Sequence, residues 1–310
     1  MKVSVIIPNY NHAVYLKERI ESVLNQSFQD FEVIILDDGS TDNSKEVIDS
    51  YKNHPKISRI VYNEINSGST FSQWEKGIEM ARGELIWIAE SDDFAEPSFL
   101  HTMIGYTKTN VSLVYCRSKI VDVNGIELSS ISNGFTPEFE HTKIDIGSLF
   151  ANNYMIKFNS VSNASSVLFR KSFVDMKIFE QIKKLRLLGD WIFWLHLMKK
   201  NCKVVYCEQV LNNFRLHQNT ARNFMHNNEN QFREYIILTK YINKEFGFKK
   251  EAIDHLMYLF FLRKEIWFNI SILSWIRINS FLIMNSPILY FKSFAKALLN
   301  LSPSSVKHPS

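Results

Sequence analysis

Five short, almost wholly apolar runs divide the first 116 residues, and segments of helical spacing fill the gaps between them. The runs are "VSVII" (3–7), "FEVIIL" (31–36), "ISRIVY" (57–62), "ELIWIA" (84–89) and "SLVYC" (112–116). Runs of this length and composition read as strands buried on both faces. Between the first two, Leu16, Ile20, Val23 and Leu24 recur at helical spacing. Further helices are expected over 42–51, with Asp42 available as a cap, over 70–81, and over 97–107 behind Pro97 at a first-turn position. A strand that is apolar on both faces needs helices above and below it. The first 116 residues therefore predict an α/β fold with a mostly parallel central sheet flanked by helices. A chain of 310 residues is long enough for one such domain and an appendage.

The rest of the chain follows a different rhythm. "DVNGIEL" (122–128) predicts a hairpin about Asn124-Gly125. Residues 129–160 are rich in Ser, Asn and Phe, show no clear period, and read as a loop-rich segment. "SSVLF" (165–169) predicts a strand and "GDWIFWLHLMKK" (189–200) a helix. Separate strands are expected at "KVVYC" and "VLNNFRLH". From about residue 222 the pattern is helical to the end.

Composition excludes several classes. A net charge of +4, with no block of Lys or Arg, gives no footprint for nucleic acid. Cys116, Cys202 and Cys207 form no CxxC pair and predict three reduced, buried thiols rather than a disulfide framework or a zinc site. The apolar run of "MKVSVIIPNYN" stops at Pro8 with no cleavage pattern behind it, which predicts a cytoplasmic protein. No G-x-G-x-x-G follows the first strand, which disfavours a Rossmann oxidoreductase.

In open α/β sheets, ligands bind beyond the carboxyl ends of the strands. Here those ends carry "PNYN", "DDGSTD" and "ESDD". Turn and cap chemistry accounts for much of "DDGSTD": Asp37 would hold the strand end, Gly39 the turn and Asp42 the next helix. The crowding of Glu90, Asp92 and Asp93 is harder to dismiss, because packed like charges raise each other's cost unless a cation offsets them. Carboxylates at a strand end suit a hard divalent ion such as Mg²⁺ or Mn²⁺.

"VSVIIPNYN", "LDDGSTDNS", "NSGS" and "GIEMARGELIWIAESDDF", with the later "LGDWIFWLHL" and "LNNFRLHQN", together resemble the family 2 glycosyltransferases of the glycosyltransferase-A (GT-A) fold. The resemblance spans residues 3 to about 220. It implies a GT-A catalytic domain over 1–222, with a nucleotide-sugar-binding half at 1–116 and an acceptor-side half at 117–222, followed by a helical region at 223–310. It also implies site roles. Pro8 and Tyr10 would line the base pocket, Asp38 would bond the base or ribose, and Asn66 would sit near the donor. Asp92 would touch the ribose. Asp93 would hold Mn²⁺ or Mg²⁺, joined by His217, with Arg215 nearby on the donor. From the residues alone Asp190 reads as a helix cap; the resemblance implies a general base that deprotonates an acceptor hydroxyl in one inverting displacement.

The implied partners are a nucleoside diphosphate sugar, expected to be a UDP-sugar, and a glycan or lipid-linked acceptor in cell-surface polysaccharide synthesis. The alternative is a catalytically idle relative that binds glycan or nucleotide in an assembly complex. Two departures from the family pattern stand out. Gly189 precedes Asp190 where many relatives carry Glu, and Trp74 in "FSQWEKG" stands where many carry Arg. Lys76 offers a replacement cation but reads as a solvated side chain. His12 reads as a loop residue without ligand partners. In the C-terminal region, "LYFKSFAKALLNL" places Lys292 and Lys296 four apart opposite a Leu/Phe face. That pattern fits either peripheral contact with the inner face of the cell membrane or packing against protein, including a second copy.

Overall fold

The computed structural model describes residues 1–128, 141–156, 158–161, 163–199, 202–217, 229–247, 250–262 and 271–299. The chain divides into two compact units, Met1–Asn219 and Thr220–Ser310.

The first unit is built on one nine-stranded sheet. Its strands are β1 (Val3–Asn9), β2 (Phe31–Asp37), β3 (Ile57–Tyr62), β4 (Leu85–Ile88), β5 (Phe94–Ala95), β6 (Val111–Val121), β7 (Lys143–Ile146), β8 (Val167–Arg170) and β9 (Lys203–Arg215). The spatial order is β3-β2-β1-β4-β8-β6-β9-β5, with β7 paired to β9. The pairings of β1 with β2, β2 with β3, β1 with β4 and β6 with β9 are parallel. Those through β8, β5 and β7 are antiparallel. β1, β2 and β4 are buried along their whole length, as their continuous apolar runs require.

Helices cover both faces. α1 (Ala13–Leu24), α2 (Ser44–Ser50) and α4 (Phe99–Gly105) lay Leu16, Ile20, Ile48, Phe99 and Met103 against Val5, Ile7, Val33, Ile35 and Trp87. The alternate strand residues point the other way. There α3 (Thr70–Met80) sets Gly77 on Ile6, and Trp74 meets Phe193 and Trp194 of α7 (Gly189–Met198) at 5.7 and 5.8 Å between ring centroids. Short helices α5 (Gly147–Phe150) and α6 (Phe179–Ile182) complete this unit.

Three local expectations are revised. The two strands expected after α7 are one, β9. Cys116 pairs with Cys207 and Arg117 with Val210, so polar Glu208 and Gln209 are taken up as a bulge instead of ending the strand. The segment expected to be loop carries β7, α5 and a helical turn over Ala151–Met155. β7 is only "KIDI", with alternating exposure too brief to stand out in sequence. α2 begins at Ser44, two residues later than expected. The hairpin at Asn124-Gly125 forms, with Gly125 at φ 81° and Val121 bridged to Glu127. Residues 129–140 lie outside the described residues. All three cysteines are buried free thiols.

Among the described residues the second unit carries α8 (Glu229–Phe246), α9 (Lys250–Leu262), α10 (Ile272–Asn285) and α11 (Pro287–Leu299). Phe232, Ile253, Leu256, Phe260, Ile278, Leu282 and Tyr290 form its core. Among the described residues no helix is long and apolar enough to cross a membrane.

Candidate active site

β2 and β3 run out to one side of β1, and β4 lies on the other. This is the point where strand order reverses, and it opens a crevice beyond the carboxyl ends. Pro8 helps to make it. The β1–β4 ladder ends at Ile6 paired with Ile88, and Ala89 N–H still reaches Ile6 O at 2.8 Å. Pro8, two residues on, faces the same side and has no N–H to continue the pairing. Asn9 faces the other way and keeps contact with β2, accepting from Asp38 N–H at 2.8 Å. Pro8 is buried, and Tyr10 projects beyond it with 44 % of its surface exposed.

The chain crosses the mouth of the crevice in "ESDD". β5 pairs antiparallel with β9, Phe94 opposite Asn213, and that register brings Asp92 beside Arg215. Arg215 donates from Nε to Asp92 O (2.8 Å) and from Nη1 to Val123 O (2.9 Å), and its Nη2 pairs with Glu18. Its guanidinium lies 4.8 Å from the Tyr15 ring centre and 5.3 Å from that of Phe94. Arg215 is almost wholly buried and serves as a clamp on the loop.

Asp92 and Asp93 then point opposite ways. The Asp92 carboxylate faces the crevice, 3.0 Å from His217 Nε2. His12 stands next to them: its ring centre is 5.3 Å from that of His217, and its Nδ1 is 2.8 Å from Ser91 Oγ. Ligand atoms of His12, Asp92 and His217 all lie within 4.8 Å of one another. Asp93 turns inward. Its oxygens accept from Arg215 N–H and Asn163 Nδ2, both at 3.0 Å, and Arg19 Nη2 lies 4.0 Å away. Asp93, expected beside His217, is turned inward, and the carboxylate next to His217 and His12 is that of Asp92. Ser91 and Asp92 lie in a turn closed by Asp93 N–H to Glu90 O at 3.2 Å, and that turn leaves Asp92 as the carboxylate beside His217. His12, read from sequence as a loop residue, belongs to the cluster.

Electrostatics follow the same division. Burial would raise Asp92, but the His217 hydrogen bond and the charges of His12 and His217 outweigh it and hold Asp92 below the usual carboxylate range. Burial, then the Asp92 charge, pushes Asp93 up. Burial and Asp92 likewise push Glu90 up to about 8, against the hydrogen bond that Trp74 Nε1 donates at 2.9 Å. Burial also lowers His12.

Asp38 lies on the β2 side, 5 % exposed, and four donors converge on it. They are Asn63 Nδ2 (2.6 Å), Ser67 N–H (3.0 Å), Ser67 Oγ (2.7 Å) and Gln73 Nε2 (2.7 Å). The carboxylate ties the loop of residues 63–69 to α3. Asn66 rides on that loop, its backbone N packed where a side chain on Gly39 (φ 74°) would fall, at 2.8 Å. Lys76 is half-buried, and its Nζ donates to Asn63 Oδ1 at 2.7 Å. Asp37 and Asp42 are turn and cap groups, as expected. Asp37 accepts from Ser40 and Asn9, and Asp42 from the N–H groups of Ser44 and Ala13 at the heads of two helices.

Asp190 stands in the first turn of α7, half-buried. It accepts from Trp191 N–H at 2.7 Å and from Asn159 Nδ2 at 3.0 Å. The N-cap position itself is Leu188. One short segment thus sends Asn159 to Asp190 and Asn163 to Asp93.

The glycosyl transferase family 2 model matches residues 4–173, more than half of the chain. The chain belongs to glycosyl transferase family 2. It is an enzyme, a glycosyltransferase of GT-A fold.

A glycosyltransferase named GlyG from Streptococcus pneumoniae is 39 % identical to it over 101 residues, 33 % of each chain. An uncharacterised glycosyltransferase of Methanocaldococcus jannaschii is 29 % identical over 218 residues, 69 % of this chain and 70 % of that one. Escherichia coli chondroitin synthase is 34 % identical over 146 residues, 46 % of this chain but only 20 % of the synthase. This transferase therefore spans a minor part of some relatives' length. In fold it is similar to the S. aureus TarS fragment 1–349, with a TM-score of 0.70 at 19 % identity, covering 97 % of this chain and 89 % of that one. The TarS fragment has also been solved with UDP and with UDP-GlcNAc. A Pyrobaculum calidifontis mannosyltransferase in complex with GDP-Man and Mn²⁺ is similar at a TM-score of 0.55 and 13 % identity, over 97 % of this chain and 88 % of that one.

Sequence reasoning missed His12, Arg19, Trp74 and Asn163. His12 directly follows "PNYN", where the strand-end rule points, but its partners lie far along the chain. Trp74 replaces the family's Arg, yet it fixes Glu90 from the α3 side.

Proposed function

We propose that this transferase moves a sugar from a nucleoside diphosphate donor, a UDP-sugar, to a hydroxyl of a glycan or lipid-linked acceptor, with inversion and with a divalent cation. The observation that carries the reading is the convergence of His12, Asp92 and His217 at the crevice of a family 2 chain. Donor complexes of the fold neighbours with UDP-GlcNAc and GDP-Man support a nucleotide-sugar. Relatives that are chondroitin and hyaluronan synthases support a polysaccharide product.

The three residues fit a metal. Asp92 is held ionised and His12 is biased toward neutral, which are the ligating forms of both side chains. Two imidazoles beside one carboxylate favour Mn²⁺ over Mg²⁺, which prefers oxygen ligands. When bound, the ion would offset the negative charge that grows on the departing diphosphate. Arg215 holds the loop that carries Asp92, and Asp93 anchors it from beneath through Asn163 and Arg19. Tyr10 and the Asp38-ordered loop with Asn66 would border the base and ribose. Asp38 would act on the nucleotide by positioning that loop. Asp190 would accept the proton of the acceptor hydroxyl, with Asn159 fixing its carboxylate.

The test is a panel of nucleoside diphosphate sugars with Mn²⁺, scored by release of the nucleoside diphosphate and by the anomeric configuration of the product. One donor should turn over, with inversion. Asp190→Asn should lower transfer by about 10²- to 10⁴-fold while donor binding persists. Absence of metal-dependent turnover with every donor would point instead to a binding member of the family in an assembly complex.

A further inference from the structure

α10 and α11 turn apolar side chains away from their own core. On α10, Leu273, Ile276, Arg277 and Met284 are exposed at helical spacing, while Ile278, Phe281 and Leu282 on the other side are buried in the unit's core. On α11, Ile288, Phe291 and Lys292 form a second exposed stripe, while Tyr290 is buried and Leu289 and Phe294 pack inward. Exposure at these sites is high: 68 % at Leu273, 76 % at Met284, 73 % at Ile288 and 60 % at Phe291. Lys292 therefore shares a face with Phe291 instead of standing opposite the apolar side.

Charge identifies what covers these stripes. No Asp or Glu occurs anywhere after Glu265, while Arg277, Lys292, Lys296 and Lys307 do. Every formal side-chain charge on α10 and α11 is positive. A second protein surface would commonly present mixed charges to match, whereas an anionic lipid surface asks for cations and apolar side chains only. Neither helix can cross a bilayer. We infer that α10 and α11 form a peripheral docking surface for an anionic lipid bilayer. Leu273, Ile276, Met284, Ile288 and Phe291 enter the interfacial region, and Arg277 and Lys292 meet the headgroups.

The test uses the full chain in vesicle co-sedimentation, with vesicles of phosphatidylcholine alone and of phosphatidylcholine mixed with phosphatidylglycerol. The chain should bind the mixed vesicles, bind pure phosphatidylcholine much less, and be released by added salt. Met284→Glu with Phe291→Glu should lower the partition coefficient by at least roughly tenfold. Arg277→Gln and Lys292→Gln should each lower it about fivefold, equivalent to about 1 kcal/mol per cation. All four positions lie outside the unit's core, so helix content by circular dichroism and donor hydrolysis should stay at wild-type levels. Failure to bind mixed vesicles, equal binding to both lipids, or undiminished binding of the double Glu variant would overturn the inference. So would self-association in light scattering that the double Glu variant abolishes while lipid binding is absent.

Discussion

One carboxylate, Asp38, receives four hydrogen bonds from three residues on two elements. Replacing it with Ala would leave buried donors on Asn63, Ser67 and Gln73 without a partner. Asp38→Ala should therefore lower stability by about 3 kcal/mol in urea denaturation and weaken nucleotide binding even without metal. A variant as stable as wild type would show that the loop does not depend on this hub. The sequence marked Asp38 through its place at a strand end, but not its partners, which come from a loop and a helix further along. It likewise marked "SDD" without telling which Asp faces the crevice. Ser91 and Asp92 lie in a turn, and the facing of each carboxylate is set by that turn together with the pairing of β5 with β9.

The contact between α3 and α7 leaves no room for a side chain at position 189. A Cβ on Gly189 would lie 2.4 Å from Phe71 Cε2 and 2.5 Å from its Cζ. Glu in that place would collide with an aromatic ring that this chain has put there. Gly189→Ala should cost about 1–3 kcal/mol as the ring is displaced, and adding Phe71→Leu should recover much of the loss. Thermal unfolding of the single and double variants measures this; an additive loss would argue against the interlock. Strands were legible wherever a run was apolar throughout, as in β1, β2 and β4. They were not where a bulge inserted Glu208 and Gln209 into β9, or where β7 was four residues long.

For the molecule as a whole, buried Glu32 and half-buried Glu90, with opposite shifts, shape stability against pH. Arg82 and Ser4 hydrogen bonds outweigh burial at Glu32 and lower it to about 2. Its contribution is present above the ordinary glutamate range and is lost as pH falls toward 2. Glu90 is shifted up to about 8, so its contribution is present below the ordinary range and lost as pH rises toward 8. Without metal, Glu32→Gln should destabilise the chain near neutral pH by up to about 3 kcal/mol. Glu90→Gln should stabilise it at pH 8 on the order of 2 kcal/mol and have little effect near pH 4. Denaturant midpoints across pH check both signs. The α/β order of the first unit and the helical second region were legible because burial on both faces, or on one stripe, is written directly into hydrophobic periodicity. The His12–Asp92–His217 cluster was only partly legible, because it joins the ends of β1, β4 and β9 and exists only once the sheet has formed.

In the proposed function this cluster, with Asp92 and not Asp93 as its carboxylate, would hold the cation that serves the donor diphosphate. Electron paramagnetic resonance of Mn²⁺ titrated into the protein with UDP tests it directly. Wild type should bind Mn²⁺, Asp92→Ala and His217→Ala should lose binding at least about tenfold, and Asp93→Asn should retain it. Loss in Asp93→Asn with retention in Asp92→Ala would assign the cation to Asp93 instead.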